Sequence, residues 1–128
     1  MRMLLGFGVL ILLIAVGVNA MVSSDKKEME ARLQSTLAAY RSALQPGTKR
    51  EQVEAYLHQQ NVAFTRSCCE PGIPSDRTDL GDEPRNLFCQ PWKVSLEIQF
   101  KNSEPPADVA KGSDLLTNID LHREGVCF

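Results

Sequence analysis

Histidine and tryptophan are scarce in this chain: only His58, His122 and Trp92 are present. A Cys–His nucleophile needs an imidazole within hydrogen-bond reach of a thiol. His58 falls on the solvent side of its helix. His122 lies on an outward strand position about five residues from Cys127, some fifteen ångströms at ~3.3 Å per residue. Both read as surface histidines. There is no C-x-x-C pair to lower a thiol pKa, no glycine-rich phosphate loop and no serine-centred nucleophile elbow. Basic residues are also too few and too scattered to form the stripe that a nucleic acid backbone requires, so nucleic acid is excluded as a partner. No internal repeat or low-complexity tract breaks the 128 residues, a length that suits one domain.

Charge is missing from the N-terminus too. Arg2 is the only charged residue before Asp25, and Leu4 to Val18 is an almost unbroken apolar run. Val18-Asn19-Ala20 places small residues at the −3 and −1 positions of a signal peptidase site. Residues 1–20 therefore read as a secretory signal. The alternative is an uncleaved inner-membrane anchor over residues 3–22, close to the ~20 residues that span a bilayer. Without residues 1–20, 13 basic side chains face 16 acidic ones, a net charge of −3. A domain this small buries about two-thirds of its unfolded surface and gains from covalent staples.

Four cysteines are available for that purpose: Cys68, Cys69, Cys89 and Cys127. An even count in an exported chain reads first as two disulfides. Zinc is disfavoured because its ligands are usually spaced by two to four residues, whereas Cys68 and Cys69 are adjacent.

The periodicity gives the elements. Asp25 with Glu28 forms a capping box, and Met29, Leu33, Leu37, Tyr40 and Leu44 recur at helical spacing. Gln45-Pro46-Gly47 ends this helix. Thr48 with Glu51 starts a second helix to about Gln60, with Val53, Tyr56, Leu57 and Gln60 inward and Asn61 as a left-handed cap. Val62 to Arg66 alternates as a strand. Residues 70–88 are rich in proline, glycine and aspartate and read as a long surface loop, whose Asp76, Asp79, Asp82 and Glu83 keep it soluble. Those acids lack the alternate spacing of a calcium loop. Trp92 to Lys101 is the clearest strand, with Val94, Leu96, Ile98 and Phe100 on one side. A last strand runs from about Asp114 to Glu124, with Leu115, Ile119 and Leu121 inward.

The expected architecture is thus α+β: an N-terminal targeting segment, then one domain over 25–128 in which a helical hairpin packs on a three-stranded antiparallel meander. In such a meander all four thiols meet at one end of the sheet. Cys89–Cys127 is the first pairing. Cys68 or Cys69 to Cys89, with its neighbour to Cys127, stays open. The face away from the helices carries Lys93, Ser95, Glu97, Gln99, Asn118, Asp120 and His122, a mixed-charge surface suited to docking a protein. Trp92 is expected to pack rather than to anchor a partner.

Pro46-Gly47-Thr48, then Val53-Glu54-Ala55-Tyr56-Leu57, then Val62 and Phe64, resembles small exported bacterial proteins: the SmpA/OmlA-like proteins of outer-membrane assembly and the similarly folded beta-lactamase-inhibitor proteins. The resemblance covers roughly Ala31 to Phe100. It implies a Gly-Thr turn opening the second helix, a following meander, and non-catalytic protein binding. The chain departs from the assembly lipoproteins in having no lipid-attachment cysteine after the targeting segment. The expected role is that of an exported, disulfide-stabilised, cofactor-free protein that binds another cell-envelope protein. The alternatives are a membrane-anchored accessory protein, and a metal- or thiol-dependent protein built on the four cysteines.

Overall fold

A computed structural model describes residues 2–67, 73–84, 89–103 and 110–127; the side chains of residues 2–20 and of Val22 lie outside that description. The chain divides into two compact units, Met1–Arg32 and Leu33–Phe128. Helix α1, Arg2–Ala43, begins in the first and ends in the second. Asp25 is therefore within a helix and not at its start, which corrects the expected capping box. In the first unit Met21 and residues 23–28 are exposed, and Arg32 Nη2 donates to Met29 Sδ at 3.4 Å. Among the described residues no helix is long and apolar enough to cross a membrane. Most side chains of the signal or anchor expected over residues 1–22 fall outside that description.

In the second unit α1 contributes Leu33 and Leu37 to the core, and Leu44 follows in the turn. Gly47 takes φ +88°, where an L side chain is strained, and lets the chain reverse there. The expected Thr48–Glu51 capping box is replaced by one shifted a residue along. Thr48 Oγ1 donates to Gln45 O at 2.6 Å within the turn, Lys49 is the N-cap, and its N–H reaches Gln52 Oε1 at 3.4 Å. Helix α2, Arg50–Gln59, buries Val53 and Leu57 completely. Asn61, at φ +60°, closes it as expected, whereas Gln60 is exposed.

Four strands follow, not three: β1 Thr65–Ser67, β2 Ser75–Glu83, β3 Trp92–Lys101 and β4 Leu115–Glu124, antiparallel in the order β1-β2-β3-β4. Strand β2 lies within the stretch expected to be loop. Its core-side positions include Asp76 and Thr78, and near its end Glu83 is buried, so no alternation of apolar residues marks it. The last strand also differs from expectation. Gln99 pairs with Asn118 but Phe100 pairs with Leu116, so Thr117 is an extra residue. This bulge turns Leu116 inward and leaves Leu115 exposed, while Ile119 stays buried. Leu37, Leu44, Val53, Leu57, Leu96, Ile98, Phe100, Leu116 and Ile119 form one core between the helices and the sheet. Tyr40, Tyr56, Val62, Phe64 and Leu121 pack around it.

The fourth strand undoes the reason for a four-thiol cluster. Ser67 pairs with Ser75, which pairs with Gln99, at the sheet end far from Trp92 and Glu124. Cys89 and Cys127 bridge each other beyond Trp92 and Glu124, as first expected, using both thiols. Cys68 and Cys69 lie outside the described residues.

Candidate functional site

Two groups of side chains stand out, one on the open face of the sheet and one beneath α2. Strand register sets the first. Ser95 pairs with His122, Glu97 with Asp120, Gln99 with Asn118 and Lys93 with Glu124, so the expected face residues lie together on the side away from the core. Arg77 and Asp79 of β2 join them through pairing with Glu97 and Ser95, and Asp82 joins through Lys93. Acids are in excess on this face: Asp79, Asp82, Glu97, Asp120 and Glu124 against Arg77, Lys93 and Lys101.

The centre of the face is cross-linked by charge. Arg77 reaches Glu97 at 3.2 Å and Glu124 at 3.1 Å; His122 Nε2 meets Glu124 at 2.8 Å and its Nδ1 faces Glu97 at 3.8 Å. The hydrogen bond with His122 holds the Glu124 carboxyl below the usual carboxylate range. Asp120 lies on the same face and has local partners as well. Its Oδ1 accepts from the Leu121 N–H at 2.8 Å and faces Arg41 at 3.8 Å, while Arg41 Nε donates to Ile119 O at 2.9 Å. Together they occupy backbone groups on the outer edge of β4 that an incoming strand would need. His58 is exposed and stands edge-on to Phe64, with ring centroids 5.3 Å apart.

The second group was not anticipated. Arg50, Val53, Glu54 and Leu57 form one inward stripe of α2, so two charges are carried under the helix with two apolar side chains. The Arg50 guanidinium is fully buried. It donates to Asp76 Oδ1 and to Ser75 O (3.4 Å), and faces Glu54 at 3.4 Å and Asp114 at 3.5 Å. Its Cζ sits 4.8 Å from the centroid of the Phe100 ring. Arg66 grips Glu54 from β1 with two donors, Nε at 2.7 Å and Nη2. Asp114 also accepts the Lys111 N–H at 2.9 Å, and the Arg50 N–H reaches Asp114 O at 2.8 Å. These ties join α2 to β1, β2 and the entry to β4. Their sequence signal was the i, i+3, i+4, i+7 spacing that places Arg50 and Glu54 beside Val53 and Leu57.

Three carboxylates share two guanidiniums in this group. Burial pushes the Asp76 carboxyl up, against the pull of Arg50. The native state therefore holds a proton on Asp76 at pH values where the unfolded chain has released it. Stability from this residue is fully present below the ordinary aspartate pKa and is lost as pH rises through the raised one. Unfolding in urea at stepped pH is expected to give Asp76→Asn a more positive slope of stability against pH than the parent just above the ordinary carboxylate range. Parallel curves would overturn this assignment.

As for the chemistry available, Asp76, Asp79, Asp82 and Glu83 are strand residues and not loop acids; Asp76 and Glu83 are buried, and Glu83 accepts from Arg123 at 3.2 Å. Among the described residues no three His, Cys, Asp or Glu side chains converge to hold a metal ion. Trp92 is half-buried beneath Gly125, in line with a packing role. The buried group joins elements of the fold, and the open face gathers charged and polar side chains on the side away from the core. No family model, curated protein or solved structure matches this chain.

Proposed function

We propose that the chain is an exported, disulfide-stabilised, non-catalytic envelope protein whose open sheet face docks a basic surface of another envelope protein. The observation that carries this is the gathering of Lys93, Glu97, Gln99, Asn118 and His122 on one face, with acids in excess around them. The Arg77–Glu97–His122–Glu124 lattice fixes the central side chains before a partner arrives, which lowers the ordering cost of association. Excess negative charge favours a basic partner and makes association salt-dependent. The Cys89–Cys127 bridge fits an oxidising compartment.

The test uses a photo-crosslinking amino acid at Asn118 or Asp82, with Gln34 of α1 as the control position, in an intact exporting bacterium. Adducts are expected at the face positions alone, diminished by raised salt and, with the probe at Asn118, by Asp82→Lys with Asp79→Lys. Equal adducts at Gln34, or adducts indifferent to charge reversal, would count against the face. A second reading is a membrane-anchored accessory protein that keeps residues 3–22. It is favoured by the continuity of α1 from Arg2 through the expected cleavage point. The intact mass of the exported product separates the two, since a chain starting at Met21 is soluble and a full-length one is tethered.

A further inference from the structure

Beyond Glu124 the chain leaves β4 and runs on antiparallel to the residues that lead into β3, as far as the bridge between Cys89 and Cys127. Three ties hold it there among the described residues. The Gln90 N–H donates to Val126 O at 3.0 Å, Cys127 is bridged to Cys89, and Gly125 lies against the Trp92 ring. The last contact is close: a Cβ at position 125 would stand 2.6 Å from indole Nε1 and nearer still to Cδ1. Only a glycine lets the backbone cross the ring there. Before the tail starts, β4 has its own fastening, Arg123 to Glu83 at 3.2 Å. The main core, by contrast, is built from Leu33 to Ile119 and includes none of Gly125, Val126 and Cys127.

We propose that the Cys89–Cys127 bridge is a thiol-operated latch that holds the C-terminal tail over Trp92, and that its reduction uncovers the indole while the sheet stays folded. Gly125, Val126 and Cys127 are all exposed and Cys89 is half-buried, so Cys127 is the more accessible end of the bridge. The reductant is a dithiol. One of its thiolates attacks the Cys127 sulfur, breaking the bridge and releasing Cys89 as a thiolate that takes up a proton. The second thiol of the reductant then attacks its own sulfur in the mixed disulfide and frees Cys127. Two electrons pass to the protein, and the reductant leaves as a cyclic disulfide. With the covalent tie gone, one backbone hydrogen bond and the glycine–indole contact remain to hold the exposed tail among the described residues. The inference rests on the bridge and the tail alone and is independent of the docking reading.

Trp92 is the only tryptophan, so its fluorescence reports this site without interference. The full oxidised chain is treated with dithiothreitol. Emission maximum, acrylamide quenching and far-UV circular dichroism are followed together, and peptide mass after alkylation identifies the freed thiols. As Cys89 and Cys127 become alkylatable, emission is expected to shift to the red and quenching to rise, with the dichroism unchanged. Cys127→Ser should give the reduced spectrum with no reductant. Gly125→Ala keeps the bridge but displaces the ring, so its further shift on reduction should shrink. The latch is overturned if emission stays at the oxidised value once both thiols are alkylated. It is also overturned if the shift occurs only together with loss of the sheet signal, because the bridge would then staple the whole fold.

Discussion

Arg50→Ala is expected to destabilise the domain by about 3–5 kcal/mol, the cost of removing one partner from a buried ion group. The reason lies in what stays behind. Asp76 and Asp114 have no solvent exposure, and Glu54 has little, so the loss of Arg50 strands negative charge that water cannot reach. Arg66 sits over Glu54, half-exposed, and its two donors go to Glu54 and not to Asp76 or Asp114. At about 4–8 °C per kcal/mol for a domain of this size, the melting temperature should fall by tens of degrees. Removing acid along with base tests the mechanism. Arg50→Met with Asp76→Leu should cost clearly less than the two single changes added together, because an apolar replacement of a buried ion pair is often near neutral. Urea unfolding reads both. An Arg50→Ala variant within about 1 kcal/mol of the parent would mean that the group contributes little to stability.

Phe100→Ala should be of similar size, about 3–5 kcal/mol, for a different reason. The ring is 1% exposed, and its removal leaves a cavity among Leu57, Ile98 and Leu116 that rigid neighbours fill poorly. It also loses the aromatic face on which the Arg50 guanidinium rests. A cation–π contact of about 0.5–2 kcal/mol should therefore appear as coupling between Phe100→Leu and Arg50→Ala, since leucine keeps much of the volume and none of the quadrupole. Additive effects in that cycle would show that the ring acts through its volume alone.

The helices and the third strand could be read from residue order because their burial is apolar and regular. Leu33, Leu37 and Leu44 hold the expected stripe, Gly47 and Asn61 take the positive φ angles that their types suggested, and Val94, Leu96, Ile98 and Phe100 alternate inward as expected. The face pairing Glu97 with Asp120 and Gln99 with Asn118 followed from the same alternation. Strand β2 could not be found that way. Asp76, a core-side residue of β2, is polar and survives burial only because Arg50, distant in sequence, meets it there. A hydrophobic period cannot register a position whose burial is compensated by a charge elsewhere in the chain.

The sequence by itself determined the α+β order, the reversal at Gly47 and the polarity of the open sheet face, and it put Cys89–Cys127 first among pairings that it left open. All of these rest on local propensity, period two or three-and-a-half, or strand register. Only the tertiary structure decided the fourth strand, the placement of Ser67 at the sheet end away from Cys89 and Cys127, the bulge at Thr117 that turns Leu116 inward, and the buried meeting of Arg50, Glu54, Asp76 and Asp114. The physical reason is common to all four. Each depends on which residues far apart in the chain become neighbours, and the helical spacing that marks Arg50 and Glu54 as inward does not name the distant residues that meet them.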